Sequence, residues 1–199
     1  MSLKYHAITA DTPKQIVFDA GVVYRNFVSP SEPGELIGAT RGGSEFNLTL
    51  EQREIEADGV PGPLKGFKRI VRVEATLTVN MLALSLDNLK AAIAGGVSTA
   101  GGTDFPDHSV ITGKQITDAS YFDNLALVAR TGFGKPAIFV IENALADGNL
   151  SISFSDQDEA NPSVTFIAHF DPADLETNED PFEVLPFKIY WPETTTPTP

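Results

Sequence analysis

Two long stretches of the chain alternate hydrophobic and polar residues with a period of two. From Ser44, the residues Phe46, Leu48 and Leu50 fall on one side, and Glu45, Asn47, Thr49 and Glu51 fall on the other. Further on, Val71, Val73, Ala75, Leu77, Val79 and Met81 oppose Arg72, Glu74, Thr76, Thr78 and Asn80. A period of two sets one strand face on a core and the other in water. The pattern predicts strands over Ser44–Ala57 and Phe67–Leu82 that together make a long amphipathic hairpin. The residues joining them, Asp58, Gly59, Val60, Pro61, Gly62, Pro63, Leu64, Lys65 and Gly66, carry three Gly and two Pro, more than a two-residue turn requires. They predict a stiffened loop that reaches away from the hairpin, with a plain solvated loop as the alternative.

The remaining segments read as partners of this hairpin. Leu86–Ala94 has helical spacing at Leu86, Leu89 and Ile93, with Ser85 as N-cap and Gly95-Gly96 as the stop. Before the hairpin, residues 1–15 form an arm without a period. Ile16–Phe18 and Gly21–Tyr24 then predict one strand bent at Asp19 and Gly21, and a breaker-rich loop follows over 29–35. After the helix, the glycine-rich residues 95–109 predict a mobile loop. Strands are expected over Ser109–Ile116, Asn124–Arg130, Ala137–Asn143, Asn149–Ser155 and Ser163–Phe170. Ala146-Asp147-Gly148-Asn149 is a hairpin turn signal, and in the arm after it Leu150, Ile152 and Phe154 oppose Ser151, Ser153 and Ser155. Asp171–Pro181 is acidic and without a period, and Phe182–Trp191 is a last apolar run interrupted by Pro186. The predicted fold is mainly β, a two-sheet sandwich or partial barrel with one short flanking helix. It forms a single domain over 16–191, between the arm and a low-complexity tail at 192–199.

Composition narrows the chemistry. The chain has no cysteine, which removes disulfides, thiolate metal sites and thiol nucleophiles. No signal pattern opens the sequence and no apolar run approaches the roughly 20 residues of a membrane helix, so a cytoplasm-like compartment is expected. The net charge of -13 is uneven, with residues 1–95 contributing -1 and residues 96–199 contributing -12. Such a surface is ill suited to holding nucleic acid, because tight binding needs Lys and Arg on phosphates. His6, His108 and His169 are scattered, and Asp156–Asn161 lacks the Gly and distal Glu of a calcium loop. The pair Asp171 and Asp174 sits in a stretch where acidic residues are common, and no nucleophile, phosphate-loop or dinucleotide motif occurs in a suitable setting. No catalytic residue, metal or cofactor is expected. The adjacent Tyr190 and Trp191 are the only aromatic cluster that would suit a carbohydrate-binding or virion-decoration module.

The string Ile37-Gly38-Ala39-Thr40-Arg41-Gly42-Gly43-Ser44 is followed by Arg53-x-Ile55-x-Ala57-Asp58-Gly59, Gly66-Phe67-Lys68-Arg69 and Glu74-Ala75-Thr76-Leu77-Thr78. Together with the helix and closing strands, these motifs resemble the tail tube proteins (major tail proteins) of long-tailed bacteriophages over most of residues 15–191. The resemblance implies a structural virion protein, assembled in the host cytoplasm, whose β-sandwich forms hexameric rings that stack into a hollow tube for viral DNA. It implies tape-measure, tail terminator and baseplate or tail-tip proteins as further partners. An additional C-terminal immunoglobulin-like module, present in some relatives, is not expected before Pro199. The tube of a contractile injection or secretion system is the alternative on the same fold.

That picture assigns roles to the patterned faces. If a hexamer contributes four strands per subunit to an inner barrel, about 24 strands spaced about 4.8 Å apart give a diameter of roughly 37 Å before tilt. The polar residues Glu45, Asn47, Thr49, Glu51, Arg72, Glu74, Thr76, Thr78 and Asn80, with Ser151, Ser153 and Thr165, are the candidate lumen wall; an outward, solvated face is the alternative. Hydroxyls and acids offer no phosphate clamps, so DNA is expected to pass without sticking, Arg72 being the one discordant residue. Sheet edges are expected to pair between subunits, and the 58–66 loop and both termini to contact the next ring.

Overall fold

The computed structural model describes residues 7–9 and 11–193, so residues 1–6 and 10 of the expected N-terminal arm, His6 among them, and the last six residues of the tail lie outside the described residues. The chain is mainly β and every strand pairing is antiparallel. In chain order the strands are β1 (Val17–Arg25), β2 (Glu35–Leu36), β3 (Thr40–Glu54), β4 (Lys68–Met81), β5 (Gly96–Ala100), β6 (Ser109–Gly113), β7 (Phe122–Thr131), β8 (Pro136–Ala146), β9 (Ser163–Ile167) and β10 (Phe187–Tyr190). Helix α1 spans Leu86–Ala91 and helix α2 spans Pro172–Thr177.

One layer runs β2-β1-β7-β8, with β10 on the other side of β8; the second runs β3-β4-β9. Strand β8 serves both layers. Its first part pairs with β7 and β10, and its last two residues, Leu145 and Ala146, pair with β9. The change of partner follows Asn143, which adopts φ 48°. Asparagine tolerates this left-handed conformation better than most residues. The corner is clamped, because Asn143 Nδ2 donates to the His169 carbonyl at 3.2 Å and His169 Nδ1 lies 3.1 Å from the Asn143 carbonyl.

The core lies between the layers. Ala75, Leu77, Val79, Val164 and Phe166 from β4 and β9 meet Val23, Leu125 and Ile141 from β1, β7 and β8. Phe46 and Phe139 stack across the gap with ring centroids 5.3 Å apart. The bend expected in β1 is present: Asp19 and Gly21 have φ 65° and 72°, and the register with β7 shifts between Phe18 and Val22. Ser85 caps α1 by accepting from the Asn88 N–H at 3.1 Å. Asn88 itself is buried, and its Nδ2 donates to the Ile37 and Ala83 carbonyls, tying the helix to the start of the hairpin.

Three expectations are corrected. Residues 95–109 are not a loop throughout: Gly96–Ala100 pairs with Ser109–Gly113 as a small two-stranded sheet, and only the connection between them is irregular. The acidic stretch contains α2, started by Asp171, whose carboxylate accepts from the Ala173 N–H at 2.8 Å, with Pro172 in the first turn. Asn149–Ser155 is not a strand. The turn at 146–149 does form, with Gly148 at φ 82° and Asn149 N–H on the Asp147 carboxylate at 2.9 Å, but the return strand is Ser163–Ile167. The edge of β4 accepts one partner. Ser163–Ile167 fills it with Val164 and Phe166, both fully buried, whereas Phe154 in the displaced segment is 84% exposed.

Candidate functional site

Cross-strand register assembles most of the predicted polar row on one surface. Glu45 faces Thr78, Asn47 faces Thr76, Thr49 faces Glu74 and Glu51 faces Arg72, while Thr78 faces Thr165 on β9. Residues directly opposite share a face, so these positions form one sheet surface on the side away from the core. The Thr78 and Thr165 hydroxyls are 3.0 Å apart, and Arg72 is neutralised locally by Glu74 at 2.6 Å. Asn80 stands at the far end of the row, opposite Ser163, and donates to the Gly43 carbonyl at 3.1 Å. Ser151 and Ser153 do not join it by strand pairing, because their segment is irregular. The inner end of the row carries hydroxyls, amides and acids with no free cation among the described residues.

The other end of the hairpin differs. Strand β3 is the last strand of its layer, so one side of its backbone has no strand partner among the described residues. From Thr49 through Arg72 no residue is buried, although Leu50, Ile55, Val60, Phe67, Ile70 and Val71 are all large and apolar. The hairpin therefore continues beyond the sandwich as a two-stranded ribbon with both faces uncovered. The Ile55 N–H bonds to the Phe67 carbonyl at 2.9 Å and closes the ribbon at the 58–66 loop. That loop turns with Gly59 and Gly66 at φ 83° and 89°.

One feature of the ribbon gives no signal in the sequence. Opposite Glu51 sits Arg72, but opposite the next residue, Gln52, sits Ile70. Val71 is therefore a bulged residue, 56% exposed, and the alternation of β4 resets there. The reset brings Arg69 directly opposite Arg53, on the same face as Glu51 and Arg72.

A strap crosses the start of β3. Arg41 Nη1 reaches both Asp158, at 2.9 Å, and Glu159, and Asn161 Nδ2 donates to the Arg41 carbonyl at 3.1 Å. The Arg41 guanidinium holds the Asp158 carboxyl below the usual carboxylate range, chiefly through that side-chain hydrogen bond. Two acids of the 156–161 turn, Asp158 and Glu159, are thus engaged by Arg41.

The remaining candidates have structural partners. His169 belongs to the β8 clamp and stacks edge-on with Tyr121 at 5.1 Å; His108 stacks edge-on with Phe105 at 5.9 Å. Asp171 caps α2. Asp171, Asp174, Glu142 and His169 line a cleft of about 320 Å³ beside Lys188, whose ammonium binds Glu142 at 2.8 Å. That hydrogen bond raises the Lys188 pKa. Among the described residues no group of three potential His or carboxylate ligands is placed to hold a metal, and no helix is long and apolar enough to cross a membrane. Trp191 is exposed and shares a cleft of about 530 Å³ with Gln15, Phe133, Pro192 and Glu193. Comparison with known protein families and with curated proteins finds no match.

Proposed function

We propose that the chain is the subunit of a phage tail tube, which assembles into stacked hexameric rings around a channel for double-stranded DNA. The observation that carries this reading is the long open edge of β3 beside a continuous polar face. A fifteen-residue strand bonded on one side only is a template for another chain, and pairing it with a copy removes an edge that would otherwise invite aggregation. Pairing of this kind around a ring sets the β3-β4-β9 layer against the channel. The wall then consists of Thr, Asn, Glu and Ser side chains, with Arg72 already spoken for by Glu74. Between Asn80 and Glu51 such a wall presents no free cation, which leaves phosphates unclamped and lets DNA slide, while Arg53 and Arg69 stand beyond it on the ribbon. In this reading the chain does no chemistry of its own, binds no cofactor, and belongs to the virion tail. Its further partners are the tape-measure, terminator and tail-tip proteins, and the 58–66 loop contacts the next ring.

Concentrated purified protein viewed by negative-stain microscopy tests the proposal: hollow tubes or six-fold rings support it, and a monomer at all salt concentrations contradicts it. Replacing residues 59–65 by a short Gly-Ser turn is expected to leave a folded subunit that forms rings without long tubes. Normal-length tubes from that variant contradict the loop's role. The cleft beside Phe133 and Trp191 favours a second reading, a monomeric carbohydrate-binding or decoration module. Saturable glycan binding by a monomer, abolished in Trp191→Ala, would select it. A tube of a contractile system shares the fold, and co-purification with a sheath protein separates it.

A further inference from the structure

The bulge at Val71 creates an arrangement that sheet energetics oppose. Arg53 and Arg69 stand directly across from one another on the ribbon, where opposite side chains have Cβ atoms about 5 Å apart and like charges repel. Neither has an acidic side chain within salt-bridge reach among the described residues, whereas Arg25, Arg41 and Arg72 each have one. A ladder that kept its register past Glu51 would place Ile70 on this face and carry Arg69 to the other. Bulges re-aim side chains, and a local rule broken without local compensation marks a functional position. The uncovered apolar side chains next to the pair on this face, Ile55 and Phe67, point to a protein partner.

We propose that the Arg53–Arg69 face of the ribbon docks onto an acidic, partly apolar surface of a second copy of this chain. Charge complementarity selects a copy over a nucleic acid: the C-terminal half carries -12, and a chain of net charge -13 repels a polyanion. The receiving surface is the segment around α2. Residues 171–183 hold Asp171, Asp174, Glu176, Glu179, Asp180 and Glu183 with no Lys or Arg, and none of these acids is in a salt bridge among the described residues. Leu175 and Phe182 stand exposed among them. Basic residues beside apolar side chains on one element thus meet acids interspersed with apolar side chains on another. The contact is head-to-tail, joining different surfaces of two copies, so each copy keeps one of the two surfaces free for a further copy. It rests on the tube reading for its setting, as the link from one ring to the next.

Because the chain has no cysteine, single-cysteine variants report this contact directly. Phe67→Cys chains mixed with Leu175→Cys chains, treated with a short bis-maleimide, are expected to give a cross-linked dimer whose yield falls at least about tenfold between low and high salt, as screening shortens electrostatic reach. Arg69→Glu in the Phe67→Cys chain is expected to abolish the cross-link. The same change turns a repelling cross-strand pair into an attracting one, so the isolated subunit's melting temperature is expected to hold or rise, which separates lost docking from lost folding. Hollow tubes without the cross-link, or tubes of normal length from Arg69→Glu, overturn the contact and leave the tube reading intact. A salt-sensitive cross-link without hollow tubes supports the contact and overturns the tube. Assembly that depends on Arg53 and Arg69 only when DNA is added overturns the choice of a second copy as partner.

Discussion

The root and the tip of the β3–β4 hairpin share two strands and behave as different materials. At the root, Ala75, Leu77 and Val79 are fully buried under the second layer, and the opposite face carries the Thr76 and Thr78 hydroxyls. At the tip, large apolar residues recur on both strands, but none of them is buried. An isolated two-stranded ribbon is marginal in water, so the tip holds its shape through its continuity with the root and contributes little stability of its own. Apolar side chains stabilise a fold only where a second layer removes them from water. Those left uncovered are available to a partner.

The largest effect that tests this contrast is at the root. Leu77→Ala is expected to destabilise the subunit by about 2–5 kcal/mol, measured by urea denaturation, because it removes a fully buried side chain between two layers that close only partly over the gap. Ile55→Ser at the tip is expected to change stability by about 0.5 kcal/mol or less, while reducing polymerisation in a sedimentation assay. A loss at Ile55 comparable to that at Leu77 would mean that the tip is part of the folded core, and the contrast would be gone.

The hairpin that carries this division was legible in the sequence, and what was not legible has physical causes. Period-two alternation specifies a strand and its buried side, and it located the β3–β4 pair to within a few residues. It reports nothing about whether a covering layer exists, so Leu50 and Leu77 read alike although only Leu77 is buried. Asn149–Ser155 alternates as well as a strand does and still loses the β4 edge to Val164 and Phe166, because competition for one edge is a non-local matter. Helix α2 did leave a signal in Asp171-Pro172, an N-cap followed by a proline suited to the first turn. The acidic composition hid it. The bulge at Val71 and the corner at Asn143 have no marker such as Gly or Pro, and they appear only once partners are paired. Of the candidate lumen residues, all but Ser151 and Ser153 share the strand-built polar surface; those two depended on the misplaced strand.

The smallest expected effect concerns the strap that holds the 147–162 segment against the root. Arg41 lowers the Asp158 pKa, so its contribution is present above the unfolded value, about 3.9 for Asp, and is lost as pH falls through the folded one. At neutral pH the strap is fully engaged. In Arg41→Ala, the Asp158 titration followed by NMR is expected to move up toward the ordinary carboxylate range, with faster amide exchange confined to residues 156–161. Unchanged titration would mean that Arg41 does not hold the turn in solution.

The central claim is that the polar face of the β3-β4-β9 layer becomes the wall of a closed channel. Its most direct measurement is maleimide labelling of Asn47→Cys with a reagent too bulky to enter a tube, since Asn47 is exposed on that face and no other cysteine competes. The account predicts rapid labelling of the dissociated subunit and strong protection once tubes have formed, with Tyr190→Cys as a control on the other layer. Equal labelling of Asn47→Cys before and after assembly would place that face on the outside and contradict the account.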